Sequence, residues 1–226
     1  MHDFLYSLMP NLMERLPDFY KACLETLQMV AWSGIYILIF GILLGVIITV
    51  TKPGGIMENR IVYEIIDKII NLLRSIPFII LLTALMGLSR LLMGTAIFVR
   101  GAIVPLVFGT VPFYARQIES ALAQTDHGLV EAALSMGDSP MKIIFRVYLR
   151  ESVGQIVRGT TITIISLIGL TAMAGVVGAG GLGDFAVRYG HDRNMTDITW
   201  VVVILLVIIV SIIQAIGELI VRKTTH

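Results

Sequence analysis

The sequence predicts an all-α integral membrane protein with five transmembrane helices in a single domain, residues 1–226. The chain is 56% hydrophobic and only 15% charged, whereas soluble globular domains contain about 25% charged residues. Three runs without any charged residue cover residues 26–51, 159–183 and 198–217. Each run is long enough for a helix to cross a hydrocarbon core about 30 Å thick, which takes roughly 20 residues.

Two further spans are predicted between the first and second of these runs, and each contains one arginine. Residues 69–89 are apolar apart from Arg74, and residues 91–115 are apolar apart from Arg100. Each arginine lies within about two turns of a helix end, so its long side chain can reach the polar interface. The predicted spans are therefore residues 26–51, 69–89, 93–115, 159–183 and 198–218.

The distribution of lysine and arginine predicts the orientation of the chain. When Arg74 and Arg100 are assigned to their nearest loops, eleven of the 17 basic residues fall in the loops after the first and third spans and in the C-terminal tail. The positive-inside rule makes these segments cytoplasmic, with the N-terminus outside and the C-terminus in the cytoplasm. The net charge of +1 gives no reason to expect a nucleic-acid partner.

The polar segments around the first span have simple local features. Residues 1–22 form an outer tail, for which a short amphipathic helix on the interface and a merely ordered or frayed segment fit equally well. The tail has no basic region followed by an apolar core, which argues against a cleaved signal peptide. After the span, Lys52-Pro53-Gly54-Gly55 predicts a helix end, because it combines a cation at the C-terminus with a proline-glycine turn.

No cofactor, metal or catalytic site is expected in this chain. Cys23 is the only cysteine, which excludes an internal disulfide and a cysteine metal cluster. The four histidines are scattered over tails and loops. The sequence lacks the G-x-x-x-x-G-K-[ST] loop that binds ATP phosphates. Any ATP and Mg²⁺ that the protein uses must therefore be bound by a partner subunit, and the chain is not expected to be an enzyme.

The stretch Ala174–Phe185, AGVVGAGGLGDF, matches the dinucleotide-binding pattern G-x-G-x-x-G at Gly178, Gly180 and Gly183. That motif requires a preceding strand, a following helix and an acidic residue about 20 positions later. Here the preceding uncharged run has the length of a transmembrane helix, and residues 201–203 are all valine. The glycines are better explained as small residues that allow close helix packing and an unwound exit from the fourth span.

The longest polar segment, residues 116–158, is predicted to be a cytoplasmic loop of two short helices. Asp126 can cap a first helix that runs through Met136, and Gly137 can end it. Ser139 can then cap a second helix with Pro140 in its first turn. The first helix carries an apolar rim of Leu129, Val130, Leu134 and Met136. Such a loop is suited to docking a partner protein.

The loop also contains a recognisable motif. Glu131-Ala132-Ala133-Leu134-Ser135-Met136-Gly137 is followed after nine residues by Val147-Tyr148-Leu149-Arg150. This arrangement resembles the E-A-A, three residues, G, nine residues, I-x-L-P signature of permease subunits of ATP-binding-cassette (ABC) importers. Val147 replaces the usual isoleucine, and Arg150 stands where the family usually has proline.

Segments outside the loop resemble the permeases of methionine ABC importers in particular. They are residues 51–54, 74–82, 102–106, 112–116 and 172–183. The resemblance implies a type I ABC importer permease with five spans in a bacterial inner membrane. It also implies a homodimer that works with two ATPase subunits and an outer substrate-binding protein, often a lipoprotein, to carry L- and D-methionine.

The resemblance places two sets of functional residues on this sequence. The residues expected to dock the ATPase are Glu131, Ala132, Ala133, Leu134, Met136 and Gly137. The family's apolar constriction falls at Ala172, Met173 and Ala174, with Met173 as the gate candidate and Gly178, Gly180 and Gly181 beside the path. An ordinary packing role for Met173 fits about as well, since methionine is a common core residue.

Three alternative functions remain open. The permease could serve an importer for another amino acid or for glycine betaine, because related permeases have similar glycine-rich segments. An ion-coupled secondary carrier would usually need an acidic site near the middle of the membrane, whereas Glu64, Asp67, Glu119, Asp184 and Glu218 lie at span ends or in loops. An intramembrane enzyme would need paired catalytic groups, which the sequence does not provide.

Overall fold

The computed structural model describes residues 9–224, and this part of the chain is helical with no strand. Four of its helices are long and apolar enough to cross a membrane: Leu16–Thr51, Phe98–Leu122, Val153–Ala179 and Thr196–Thr224. The predicted all-α membrane fold is therefore confirmed. The first eight residues of the predicted outer tail lie outside the described part.

The helices are named in chain order. They are α1 Pro10–Glu14, α2 Leu16–Thr51, α3 Arg60–Ser75, α4 Phe78–Ala84, α5 Met86–Met93, α6 Phe98–Leu122, α7 His127–Ser135, α8 Pro140–Ile143, α9 Leu149–Glu151, α10 Val153–Ala174, α11 Gly181–Phe185 and α12 Thr196–Thr224. Wider π-helical turns occupy Ile144–Tyr148 and Ala186–His191. Between α10 and α11 the segment Gly175–Ala179 is kinked, because Val177 and Gly178 have non-helical backbone angles.

Helix α2 begins ten residues before the first predicted span. Its first turn contains Pro17 and Asp18. Proline suits a helix start because the backbone N–H groups of the first turn make no hydrogen bond within the helix, so the N–H that proline lacks is not needed there. The negative charge of Asp18 is favourable at the positive end of the helix dipole. The helix ends at Thr51, and Gly54 in the following turn has a φ of 75°. The predicted stop at residues 52–55 is thus present, and part of the predicted tail is helix.

The predicted second span, residues 69–89, is not one continuous helix. Pro77 lacks a backbone N–H and restricts the residue before it, and Ile76 is extended with φ −86° and ψ 123°. Helix α3 therefore ends at Ser75 and α4 begins at Phe78. A second break at Leu85, with φ −88° and ψ 2°, separates α4 from α5. The interruption near residues 74–77 was predicted, but the break at Leu85 was not.

Two compact units can be distinguished within the chain. The first consists of the segment up to Ile35 with residues 77–107 and 164–213, and the second consists of residues 36–76 and 108–163 with the segment from Gln214 onward. The sequence predicted a single domain, and this stays a prediction. The long helices α2, α6, α10 and α12 each contribute residues to both units.

The first unit has a core that joins its N-terminal helices to α11 and α12. Its buried members are Leu12, Ala22, Leu182, Phe185, Tyr189, Ile198 and Val202. Phe185 lies 5.7 Å from the ring of Phe19 and 5.1 Å from that of Tyr189, both in tilted arrangements. The Asp197 side chain, in the first turn of α12, accepts hydrogen bonds from the backbone of Asn11 and Leu12.

The second unit packs α2 directly against α6. A Cβ atom at Gly41 would overlap the Tyr114 side chain, and one at Gly45 would lie 2.8 Å from the carbonyl oxygen of Ala115. Small residues at such positions let two helix backbones approach closely. In the same unit, Arg116 pairs with Asp67 of α3 and with Glu119, so α3 is attached to α6 by half-buried charges.

Candidate functional site

The first helix of the predicted docking loop, α7, has a defined beginning and end. The Asp126 side chain accepts a hydrogen bond from the N–H of Gly128 at 2.8 Å, as the predicted cap requires. At the other end, the N–H of Gly137 donates to the carbonyl of Leu134, and that of Asp138 donates to the carbonyl of Ala133. This pair of bonds is a Schellman motif.

Gly137 completes this motif in a left-handed conformation with a φ of 78°. A Cβ atom at Gly137 would have no neighbour within 4 Å. The position therefore favours glycine because of its backbone conformation and not because of limited space. The sequence predicted the helix end at Gly137, and the structure confirms that conformation.

Most of the predicted docking side chains on α7 are exposed. They are Glu131, Ala132, Leu134 and Met136, the last with 74% of its surface accessible. Ala133 and Val130 differ, because they are only 3% and 4% exposed. Residues three apart share one face of a helix, and the helix as a whole contacts the chain's own segment 140–148. Ala133 is therefore covered within this chain, and its docking role stays a prediction. Val130 does not belong to the exposed apolar rim.

The second half of the loop is less regular than predicted. Pro140 occupies the first position of α8, but the Ser139 side chain makes no capping hydrogen bond. A π-helical turn follows, in which Ile144 and Tyr148 are buried. Burial also raises the pKa of the Tyr148 phenol, which keeps it neutral at physiological pH.

Sequence reasoning missed two exposed apolar residues in this half of the loop. Met141 and Phe145 are 58% and 62% exposed, although Ile143 and Ile144 between them are buried. Their spacing of four residues was the available signal, because it places both side chains on one face. The loop therefore presents apolar side chains from both of its helical halves.

The two ends of the loop are connected by side chains. The hydroxyl groups of Thr125, just before α7, and Ser152, just before α10, lie 3.0 Å apart and share a hydrogen bond. Ser152 is only 3% exposed. The start of the loop is thus held to the residue that precedes α10. We call residues 125–152 the coupling segment.

The glycine-rich stretch breaks the helix, as the sequence predicted. Regular helix α10 ends at Ala174, and Gly178, Gly180 and Gly181 have φ values of 96°, 79° and 82°. The preceding element is a helix of 22 residues and not a strand, which confirms that the dinucleotide interpretation was rightly rejected. We call residues 175–183 the glycine turn.

After the turn, α11 folds back onto the end of α10. A Cβ atom at Gly175 would lie 2.6 Å from the backbone nitrogen of Asp184, and one at Gly183 would overlap the backbone of Ala172. Backbone atoms cannot move aside as a flexible side chain can. Glycine is required at these two positions because the two backbones are in contact.

Two side chains of α2 hold the start of α11. The Glu25 carboxylate accepts a hydrogen bond from the N–H of Gly181, and the Thr26 hydroxyl accepts one from the N–H of Leu182, each at 2.8 Å. Sequence reasoning missed both residues. Glu25 is the acidic residue immediately before the first uncharged run, which is the only signal the sequence offered.

Comparisons with known proteins agree with this architecture. A family model described as "Binding-protein-dependent transport system inner membrane component" matches residues 29–226. The chain belongs to this family. It is accordingly a multi-pass inner-membrane permease subunit of an ABC transporter and not an enzyme.

Individual relatives of the permease are similar over nearly its whole length. It is 45% identical over 202 residues to the probable D-methionine transport system permease protein MetI of Vibrio cholerae, covering 89% of this chain and 90% of that protein. It is 42% identical over 205 residues to the methionine import system permease protein MetP of Bacillus subtilis, covering 91% and 92% of the two chains.

Solved structures show the same fold. A chain of the MetNI methionine ABC transporter, in inward-facing conformations, matches the permease with a TM-score of 0.92 and 41% identity, covering 94% of this chain and 99% of that one. An amino acid ABC transporter crystallised with histidines matches with a TM-score of 0.76 at 16% identity, which shows the fold alone.

The gate candidates of the permease lie at the end of α10 in different environments. Met173 is 41% exposed, Ala172 is half-buried and Ala174 is fully buried. Ala174 lines a small internal cavity with Val177 and Ala179. Of the three residues, Met173 thus projects furthest from the packed interior of its unit.

A polar cleft of about 290 Å³ lies beside the glycine turn of the permease, lined in part by Gly178 and Gly180. Its charged groups largely pair with one another. Arg188 lies 2.7 Å from Asp184, Lys21 lies 3.9 Å from Glu25, and the Tyr189 hydroxyl donates to Asp18 at 2.9 Å. These contacts stabilise the turn from its polar side.

Proposed function

We propose that this permease forms the translocation path for methionine, as a homodimer coupled to two ATPase subunits and served by an outer substrate-binding protein. The observation that carries the proposal is the coupling segment, in which a Schellman-ended helix exposes Glu131, Ala132, Leu134 and Met136. The similarity to methionine permeases over about 90% of the chain supports the choice of substrate.

The coupling segment has the properties of a docking surface. Its exposed apolar side chains, Leu134, Met136, Met141 and Phe145, can enter a groove on an ATPase, and Glu131 can make a charge-assisted contact at its edge. The buried face of α7, which contains Ala133, keeps the helix attached to the permease. ATP-driven movement of the ATPase would then displace the whole segment and, through Ser152, the start of α10.

The gate is assigned to the end of α10. Met173 is exposed in the single chain and is followed by Val176, which is 58% exposed. In a two-fold homodimer, residues that lie near the symmetry axis face their own copies, and we place Met173 there. Two Met173 side chains would form a flexible apolar constriction, with Ala172, Ala174 and the glycine turn providing the close packing behind it.

The carboxylates of the described residues agree better with ATP-driven transport than with ion coupling. A coupling ion would require an acidic group that is available within a span. Asp67 and Glu119 are paired with Arg116, and Glu25 accepts a hydrogen bond from Gly181. These half-buried carboxylates already have structural partners.

The proposal is tested by purifying the permease with its ATPase and binding protein in proteoliposomes and measuring ATP hydrolysis across a panel of amino acids and glycine betaine. We expect L- and D-methionine to stimulate hydrolysis and to be taken up. Stimulation by glycine betaine or another amino acid without methionine would contradict the substrate. Uptake that continues without ATP would contradict the ABC mechanism and favour a secondary carrier.

A further inference from the structure

A cleft at the junction of α9, α10 and α12 is not used by the proposed transport function. It has a volume of about 650 Å³ and is lined by the end of the coupling segment, the first turns of α10 and the last residues described of α12. Three of its side chains are basic, Arg150, Arg158 and Lys223, and one is acidic, Glu151. The cleft therefore carries an excess of positive charge.

The three cations differ from four other basic groups of the same unit, which have acidic partners. Arg60 and Lys68 pair with Glu64, Lys142 pairs with Asp138, and Arg116 pairs with two acids. Within residues 9–224, no carboxylate oxygen lies within 4.0 Å of a charged nitrogen of Arg150, Arg158 or Lys223. Like charges that share a cleft repel each other, and an anion bound between them would remove this repulsion.

The surroundings of the cleft identify what kind of anion fits. Large apolar side chains are exposed on the same helices just beyond it: Ile162 on α10 and Ile216, Leu219 and Ile220 on α12 are 43–59% exposed. Such faces suit contact with lipid acyl chains. By the charge distribution of the sequence, the cleft also lies at the cytoplasmic surface, where anionic lipids attract basic groups.

Arg150 is the one residue of the cleft that departs from the importer signature. It occupies the position where the importer signature usually has proline, and docking gives no reason for an arginine there. In this permease its side chain lines the cleft with Arg158, which follows two turns later in the chain, and with Lys223 from the end of α12. The change from proline to arginine thus adds one of the three positive charges.

We propose that this cleft binds the phosphate of an anionic phospholipid headgroup, such as phosphatidylglycerol, while the acyl chains lie against the exposed faces of α10 and α12. The guanidinium groups of Arg150 and Arg158 donate hydrogen bonds to the phosphate oxygens, and Lys223 adds a third positive charge. A lipid held there links the end of the coupling segment to the last helix.

The test is native mass spectrometry of the full-length permease, purified with its ATPase subunits, in the presence of equimolar phosphatidylglycerol and phosphatidylcholine. We expect preferential retention of phosphatidylglycerol, weakened about fivefold by each of Arg150→Gln, Arg158→Gln and Lys223→Gln. Arg158→Lys, which keeps the charge, should retain most of the binding. Lys68→Gln is the matched control, because it removes an exposed cation that already pairs with Glu64.

Three results would overturn the proposal. Equal retention of both lipids, or equal binding by the cleft variants and Lys68→Gln, would show that the cleft does not select an anionic headgroup. Displacement of phosphatidylglycerol by millimolar inorganic phosphate would show a site for the free anion instead of a lipid. Neither methionine nor ATP is needed in this assay, so failure of the transport proposal would leave its result unchanged.

Discussion

The carboxylate of Glu25 accepts a hydrogen bond from the backbone N–H of Gly181, 156 residues further along the chain. The adjacent Thr26 hydroxyl does the same for the N–H of Leu182. Together they satisfy two of the backbone donors that the start of a helix leaves without a partner. The position of the glycine turn is therefore fixed by α2 and not by the turn alone.

Removing these acceptors should destabilise the permease. Glu25→Ala and Thr26→Val each leave a backbone N–H without its partner, and we expect each to lower the free energy of unfolding by about 1–3 kcal/mol. Glu25→Gln and Thr26→Ser keep an acceptor oxygen and should cost less. Lys21→Ala is the control, because it leaves the Glu25 acceptor in place. The Lys21 side chain is 75% exposed, and its ion pair with Glu25 is long, at 3.9 Å. Unfolding in mixed micelles measures the differences, and equal effects of Glu25→Ala and Lys21→Ala would contradict the role of Glu25.

The contact between the two arms of the glycine turn gives a second prediction. Gly183→Ala places a methyl group against the backbone of Ala172, which has no room to move. We expect strong destabilisation or loss of assembly. Gly169→Ala, in α10, is the matched control, because a Cβ atom there meets nothing within 4 Å, and alanine favours a helix. The yield of assembled dimer after purification compares the two, and tolerance of Gly183→Ala would disprove the close contact.

Helix breaks and caps could be predicted from the sequence wherever one residue determines the backbone. Pro77 ended α3, Asp126 capped α7, and Gly137 ended α7 in a left-handed conformation. The break at Leu85 was missed because it lies in an apolar run without proline or glycine at that point. The buried face of α7 was missed because the segment that contacts α7 is a later part of the chain.

Contacts between distant segments could not be read from the sequence at all. Glu25 looked like the last charged residue before a span, and its partner lies 156 residues away. Hydrophobic periodicity predicts which elements form, but it does not predict which elements meet. The same reason explains why the basic cleft, which combines α9, α10 and α12, was found only in the structure.

The orientation of the chain is a further prediction. In a Cys23→Ser background, Asp138→Cys should react with an impermeant thiol reagent only from the cytoplasm, because the coupling segment must reach an ATPase. His191→Cys, after the glycine turn, should react only from outside. Both positions lie outside the four long apolar helices. The opposite labelling pattern would remove the coupling segment from the reach of any ATPase.

Met173 can be tested as a gate. If two copies of its side chain narrow the path, Met173→Ala should raise basal ATP hydrolysis or leak through the reconstituted complex, because a smaller apolar side chain favours opening. Met173→Leu keeps the apolar bulk, so its basal ATP hydrolysis and leak should stay at the level of the unaltered protein. Dimer assembly, checked by size-exclusion chromatography, should be normal in both variants. Unchanged leak and transport in Met173→Ala would assign the residue to ordinary packing.

The central claim is that the coupling segment transmits ATP-driven motion. The most direct test is to measure methionine-stimulated ATP hydrolysis by the assembled complex with substitutions at Gly137 and Glu131. Gly137→Val forces a β-branched residue into a left-handed conformation at a cost of roughly 1–2 kcal/mol or more, whereas Gly137→Asn is tolerated there. The account predicts that Gly137→Val and Glu131→Lys abolish stimulation while membrane insertion and dimer formation stay normal, and that Gly137→Asn retains most of it. Full stimulation in both Gly137→Val and Glu131→Lys would contradict the account.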